Sequence, residues 1–168
     1  MAGIFSFKCA HCDQIHEGSP SVAFAAPDPW LEQPTEGQAA GQLGSDWCWY
    51  TDDQGPHYFV RCCLEVPIHG VREPFLWGVW VSLSRESFER YVSTYKAPVT
   101  TDRYFGWLCN ALPCYPNTYA MKTMVQVQDG GQRPIVELDE LDHPLVQDWR
   151  QGISIERAQE IAERVVHR

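Results

Sequence analysis

Nowhere does this sequence gather Lys or Arg. Its 13 basic residues are scattered against 22 acidic ones, a formal charge of −9. Nucleic-acid binding, which needs clustered cations, is therefore not expected. No run approaches the roughly 20 apolar residues of a membrane span, so no membrane partner is expected either. The opening MAGIFSFKCAHC lacks the apolar core and small-residue cleavage pattern of a secretory signal. Internal repeats and low-complexity tracts are also missing. Seven Cys, an odd number with Cys62 and Cys63 adjacent, suit reduced thiols better than a disulfide framework. Together these absences lead to the expectation of a cytoplasmic protein.

What is present is globular in character. The chain is 44% hydrophobic and 12% aromatic, enough for one core at 168 residues. The reading is a single domain over 1–168, divided into a possible zinc-knuckle hairpin (1–16), a long loop (17–44) and an α+β core (45–168). In the loop, rich in Pro, Gly, Ala and Ser, no period is sustained, and Trp30 is its expected anchor.

The core is organised around residues 74–110. Phe75, Trp77, Val79, Val81 and Leu83 alternate with Leu76, Gly78, Trp80 and Ser82. That period of two predicts a central strand whose second face is partly covered. Gly78 leaves room for a close approach. Ser84 is a fitting N-cap, and Phe88, Tyr91, Val92 and Tyr95 form one helical stripe that Pro98 ends. Upstream, 45–51 and 57–66 read as a hairpin around a turn at 52–56. Downstream, 104–108, 121–128 and 134–138 read as short strands. Asp142 is the expected cap of a brief helix begun by Pro144, and Ser154 caps the last helix, with Ala158, Ile161, Ala162 and Val165 as its stripe. The expected fold is α+β: an antiparallel sheet of about five strands, helices on one side, and a small N-terminal Cys knuckle.

Four groups of residues could carry chemistry. In Cys9-x-x-Cys12-x-x-x-His16 the first two thiols have the spacing at which a turn brings both to one Zn²⁺. His16 is a natural third ligand, and with no second Cys-x-x-Cys the fourth is sought among Cys48, His57 and Cys63, with Cys48 preferred. Reduced thiols with no metal are the plain alternative. The aromatic residues form a second group, mostly core, from which Trp80, Tyr104 and Trp107 are assigned to a ligand or partner surface. The third is Cys109 or Cys114 with His69 or His143, a nucleophile arrangement that lacks any local signature. Asp102, Arg103, Lys122 and Arg133 are the fourth, a weak candidate for holding an anion beside ordinary loop salt bridges.

The segments RCCLEVPI, FLWGVWVSLS, YFGWLCNALPCYPNT, MKTMVQV, RPIVELDELDHPL and QGISIERAQEI, in that order, resemble the bacterial family catalogued as domain of unknown function 2199. The resemblance spans nearly the whole chain and implies a bacterial, cytosolic, single-domain protein with a Cys-x-x-Cys knuckle near its start. It implies no activity. The expected function is a non-enzymatic binding protein with a structural Zn²⁺. The rival is a small enzyme with a pocket near Trp80, Tyr104 and Trp107 that uses Cys114 or a His. An immunity-type role fits on charge alone.

Overall fold

The computed structural model describes residues 3–140 and 142–166. In chain order these carry β1 (Ser6–Lys8), β2 (Ile15–Glu17), β3 (Ser21–Ala23), α1 (Asp28–Leu31), α2 (Thr35–Ala39), β4 (Gln42–Leu43), β5 (Trp47–Asp52), β6 (Gly55–Val66), β7 (Phe75–Leu83) and α3 (Arg85–Ser93). There follow β8 (Arg103–Leu108), β9 (Lys122–Gln126), β10 (Ile135–Leu138), α4 (Pro144–Gln151) and α5 (Ile155–Val166).

Two long strands set the frame. β6 and β7 pair antiparallel from Tyr58↔Leu83 to Val66↔Phe75. β8 continues from the far end of β7, and β9 and β10 follow, all antiparallel. β10 then returns beside β6 in parallel through the single pair Ile135↔Cys63, with Cys63 N–H donating to Pro134 O at 2.9 Å. The core is thus a closed five-stranded barrel, and the expected open antiparallel sheet is corrected. Closure leaves the ring no free edge. It depends on a contact between segments far apart in sequence, which alternation within each strand cannot reveal.

β6 and β7 are longer than the ring requires, so each shares one edge between two neighbours. β5 occupies β6 at 55–60, and β4 adds beyond it. β3 runs parallel to β7 from Ser21↔Leu76 to Ala23↔Gly78. Gly78 permits that approach, since a Cβ there would sit 3.0 Å from the Ala23 Cβ. Gly106 on β8 is tighter still: an added Cβ would lie 2.4 Å from both Ser82 O and Val81 Cγ1.

The alternation of β6 and β7 separates two cores. One face supplies Val60, Cys62, Leu64, Phe75, Trp77, Val79 and Val81 to the main cluster, joined by Tyr104, Leu108, Val125, Val136 and Leu138 from the other barrel strands. Burying each large side chain of this kind contributes about 1.5–3 kcal/mol. α3 packs on this core by stacking Phe88 on Tyr58, ring centroids 4.9 Å apart. Ser84 caps α3 by accepting from Ser87 N–H, as expected. Leu145 and Val146 of α4 and Ala158, Ile161 and Ala162 of α5 are buried in the same cluster. Ser154 Oγ accepts from Arg157 N–H at the start of α5. The cap of α4 is His143 and not Asp142: its Nδ1 accepts from Leu145 N–H at 3.0 Å, while Nε2 donates to Pro116 O. The imidazole displaces the carboxylate because both its nitrogens find partners there.

The opposite face supplies Phe59 and Trp80 to a second cluster with Cys48, Tyr50, Trp30, Ala26 and Cys109. Here the expected loop over 17–44 contains β3, α1, α2 and β4 instead. Fully buried Asn110 organises it. Its Oδ1 accepts from Trp80 N–H at 2.8 Å, and its Nδ2 donates to Ala26 O at 3.0 Å and Asp28 Oδ1 at 3.1 Å. Asp28 Oδ2 accepts from Ala111 N–H at 2.8 Å, and Trp80 Nε1–H donates to Phe24 O at 2.9 Å. Long-range hydrogen bonds, which leave no periodic trace in sequence, order the segment. On the far side of Trp80, the Arg61 guanidinium lies 5.7 Å from the ring centroid. Arg61 Nε is buried without a hydrogen-bond partner among the described residues, and the π face beside it offsets part of that cost.

Candidate metal centre

β1 and β2 form a separate antiparallel pair with Phe7 opposite His16. Between them Cys9 N–H donates to Gln14 O at 2.9 Å, and Asp13 N–H donates back to Cys9 O at 3.0 Å. Asp13 takes the left-handed conformation, φ 56°, which an Asx residue tolerates and which folds the loop back on itself. Phe7 and buried Phe5 fasten the hairpin to the main core, and the His16 ring stacks on Phe7 at 5.2 Å.

This turn brings together the three residues that the sequence pattern singled out. One ligand atom each from Cys9, Cys12 and His16 lie within 4.8 Å of one another, and Cys12 Sγ is 3.2 Å from His16 Nε2. Around a tetrahedral Zn²⁺, Zn–S bonds of about 2.3 Å and Zn–N bonds of about 2.0–2.1 Å put neighbouring ligands roughly 3.5–3.8 Å apart. The group lies near that spacing, with Cys12 and His16 slightly closer than it, and two sulfurs with one imidazole are a donor set of borderline softness suited to zinc. A metal ion could be held here.

Cys48, the expected fourth ligand, is not in the group. It lies fully buried on β5 opposite Phe59, in the second core, where burial pushes its thiol up to about 12. β5 belongs to the larger sheet, paired with β6 as expected, and not to the β1–β2 pair that carries the turn. The other two candidates are also engaged elsewhere. His57 Nε2 donates to Asp52 Oδ1 at 2.8 Å, and half-buried Cys63 sits on the barrel seam. Sequence reasoning missed Glu163 of α5, whose Oε1 accepts from Ala10 N–H at 3.3 Å in the knuckle loop. These residues are 153 positions apart, and no local signal links them.

The aromatic candidates are divided by the fold. Trp80 is completely buried and Tyr104 is 7% exposed inside the barrel, whereas Trp107 is 42% exposed. Trp107 stands edge-on to Phe105, also on the outer face of β8. The nucleophile candidates are not brought together. Cys114 is half-buried in a left-handed turn, φ 70°, and Cys109 is buried with its thiol donating to Trp107 O. His69 Nε2 pairs with Gln151 O, and His143 serves the α4 cap. Asp102 is held by Arg90 at 2.9 Å, and Arg103 by Glu137. The Arg90 guanidinium, with help from the Tyr104 hydroxyl, keeps the Asp102 carboxyl below its usual range. Arg133 pairs with Asp46 at 3.3 Å, so these residues read as salt bridges.

The molecule is therefore a mixed α/β protein built round a closed five-stranded barrel, with a Cys–Cys–His group able to hold metal in an attached hairpin. It belongs to the domain of unknown function 2199 family, described as an uncharacterized protein conserved in bacteria, whose model matches residues 8–153. All three grouped ligands fall inside the match, and α5 with Glu163 falls outside it. No curated protein and no solved structure matches the chain. Among the described residues, no helix is long and apolar enough to cross a membrane.

Proposed function

We propose that this is a binding protein whose N-terminal hairpin is fixed by a structural zinc ion on Cys9, Cys12 and His16. The observation that carries the reading is the convergence of the three ligand atoms within 4.8 Å on a tight turn. Strands of three residues cannot hold an isolated hairpin, so a metal has a structural task here. Zinc supplies no redox chemistry, only a tetrahedral tie between the two sides of the turn. The fourth position falls to solvent or to a flanking side chain, with His11 inside the loop and Glu163 beside it. Exposed Trp107 and Phe105 support a binding face on the outer side of β8.

The test is metal content of protein purified without a metal-binding tag. About one zinc per chain is expected, lost in Cys9→Ser and retained in Cys48→Ser. Metal-free protein with freely reactive Cys9 and Cys12 thiols would overturn the zinc site.

A further inference from the structure

A cleft of 370 Å³ opens over the second core, away from the hairpin, with Tyr50, Phe59 and Cys109 as its floor. Its volume falls in the range of small-molecule sites. Tyr50 is only 3% exposed and lines this cleft, yet its hydroxyl has no hydrogen-bond partner among the described residues. The hydroxyl itself reaches the cleft, where water or an entering donor can pair with it. Burial first, and then the charge of Asp52, push the Tyr50 phenol up to about 12, so it stays protonated and keeps its lone pairs available.

Apart from His57, which pairs with Asp52, the titratable walls are acidic or phenolic and thiol groups. Glu32 lines the cleft and makes no ion pair among the described residues, and no Lys or Arg lines it there. Asp52 lies alongside, held as an anion by the His57 ring, which itself rests 4.9 Å from the Tyr50 ring. At the rim stand the rings of Trp107 and Tyr119, 42% and 49% exposed. Acceptors, an unpaired carboxylate and open aromatic rings suit a positive head group and repel an anion. The overall charge of −9 favours approach of the same kind of ligand.

We infer that this cleft binds a small organic cation, its N–H donors taken by the Tyr50 hydroxyl and Glu32 and its charge facing Trp107 and Tyr119. The inference extends the binding-protein reading to a ligand class and is independent of the metal.

Calorimetric titration of the full chain at low salt tests it with three molecules of one shape: benzamidinium, benzamide and benzoate. Benzamidinium is expected to saturate one site at least about tenfold more tightly than benzamide, with no binding of benzoate. Tyr50→Phe and Glu32→Gln should each weaken benzamidinium about tenfold while leaving thermal unfolding unchanged, since neither group holds a structural bond. Absence of benzamidinium binding, equal binding of all three molecules, or both variants binding like the parent would overturn the inference. The Cys9→Ser protein separates the two readings, because loss of zinc with benzamidinium binding retained removes nothing from the cleft.

Discussion

The barrel and the N-terminal hairpin are held by different means. The barrel strands are fixed by a continuous ring of hydrogen bonds and by a core reaching from Val60 to Leu138. The hairpin has three rungs, two buried Phe rings and a group of metal-capable ligands. One region rests on extensive burial; the other has only three rungs and two anchoring rings. Their responses to the same insult should differ.

Trp77→Ala should have the largest effect, since Trp77 is 1% exposed between Phe75, Phe24 and Tyr115. A loss of about 3–5 kcal/mol in urea unfolding is expected, with all regions lost together. Asn110→Leu comes next, because it leaves Trp80 N–H, Ala26 O and Asp28 without their buried partner. It should cost about 2–4 kcal/mol and expose the 24–31 segment to proteolysis before the barrel. Chelation, or Cys9→Ser, should act on one side of the comparison only. Amide exchange would quicken across 6–17 while β6 and β7 keep their protection, and uniform loss across both regions would break the contrast. A smaller effect is expected from pH. The His57 hydrogen bond lowers the Asp52 carboxyl, so its contribution is complete above the unfolded carboxylate pKa of about 3.9 and is lost as pH falls through the lower folded value. Asp52→Asn should therefore flatten the acid limb of the stability profile below about pH 4 without moving hairpin exchange. The smallest is Glu89→Gln, which removes the exposed pair with Arg85 and should leave the urea midpoint unchanged within error.

Local physics was legible in this sequence. The alternation of 75–83 marks a strand with those same ends, and Ser84 and Ser154 cap the helices they precede. The Cys9, Cys12 and His16 group was also legible, because its spacing lies within one turn. Long-range physics was not. Leu76, Gly78, Trp80 and Ser82 look like a half-covered face, and nothing in residues 17–44 announces that they supply the cover. The assignment of Trp80 to a ligand or partner surface follows from that pattern, whereas Phe24 and Asn110 hold it inside. The preference for Cys48 rests on its place in the strand paired with that of Cys63, and that same pairing puts it in the second core, away from the turn. The same gap hid Tyr50, whose place in the cleft becomes visible only when every neighbour is placed.

The lone rung between Ile135 and Cys63 also bears on how a ribosome delivers this chain. β6 and β7 emerge early and can zip along their full register, and β5 covers 55–60 of the outer edge. The rest of that edge stays bare until residues 134–138 have been synthesised. During that interval nascent chains present an unpaired strand edge to one another, the form of exposure from which chains aggregate. Slow translation through the last third would lengthen the interval, and a chain cut short before β10 would never close it.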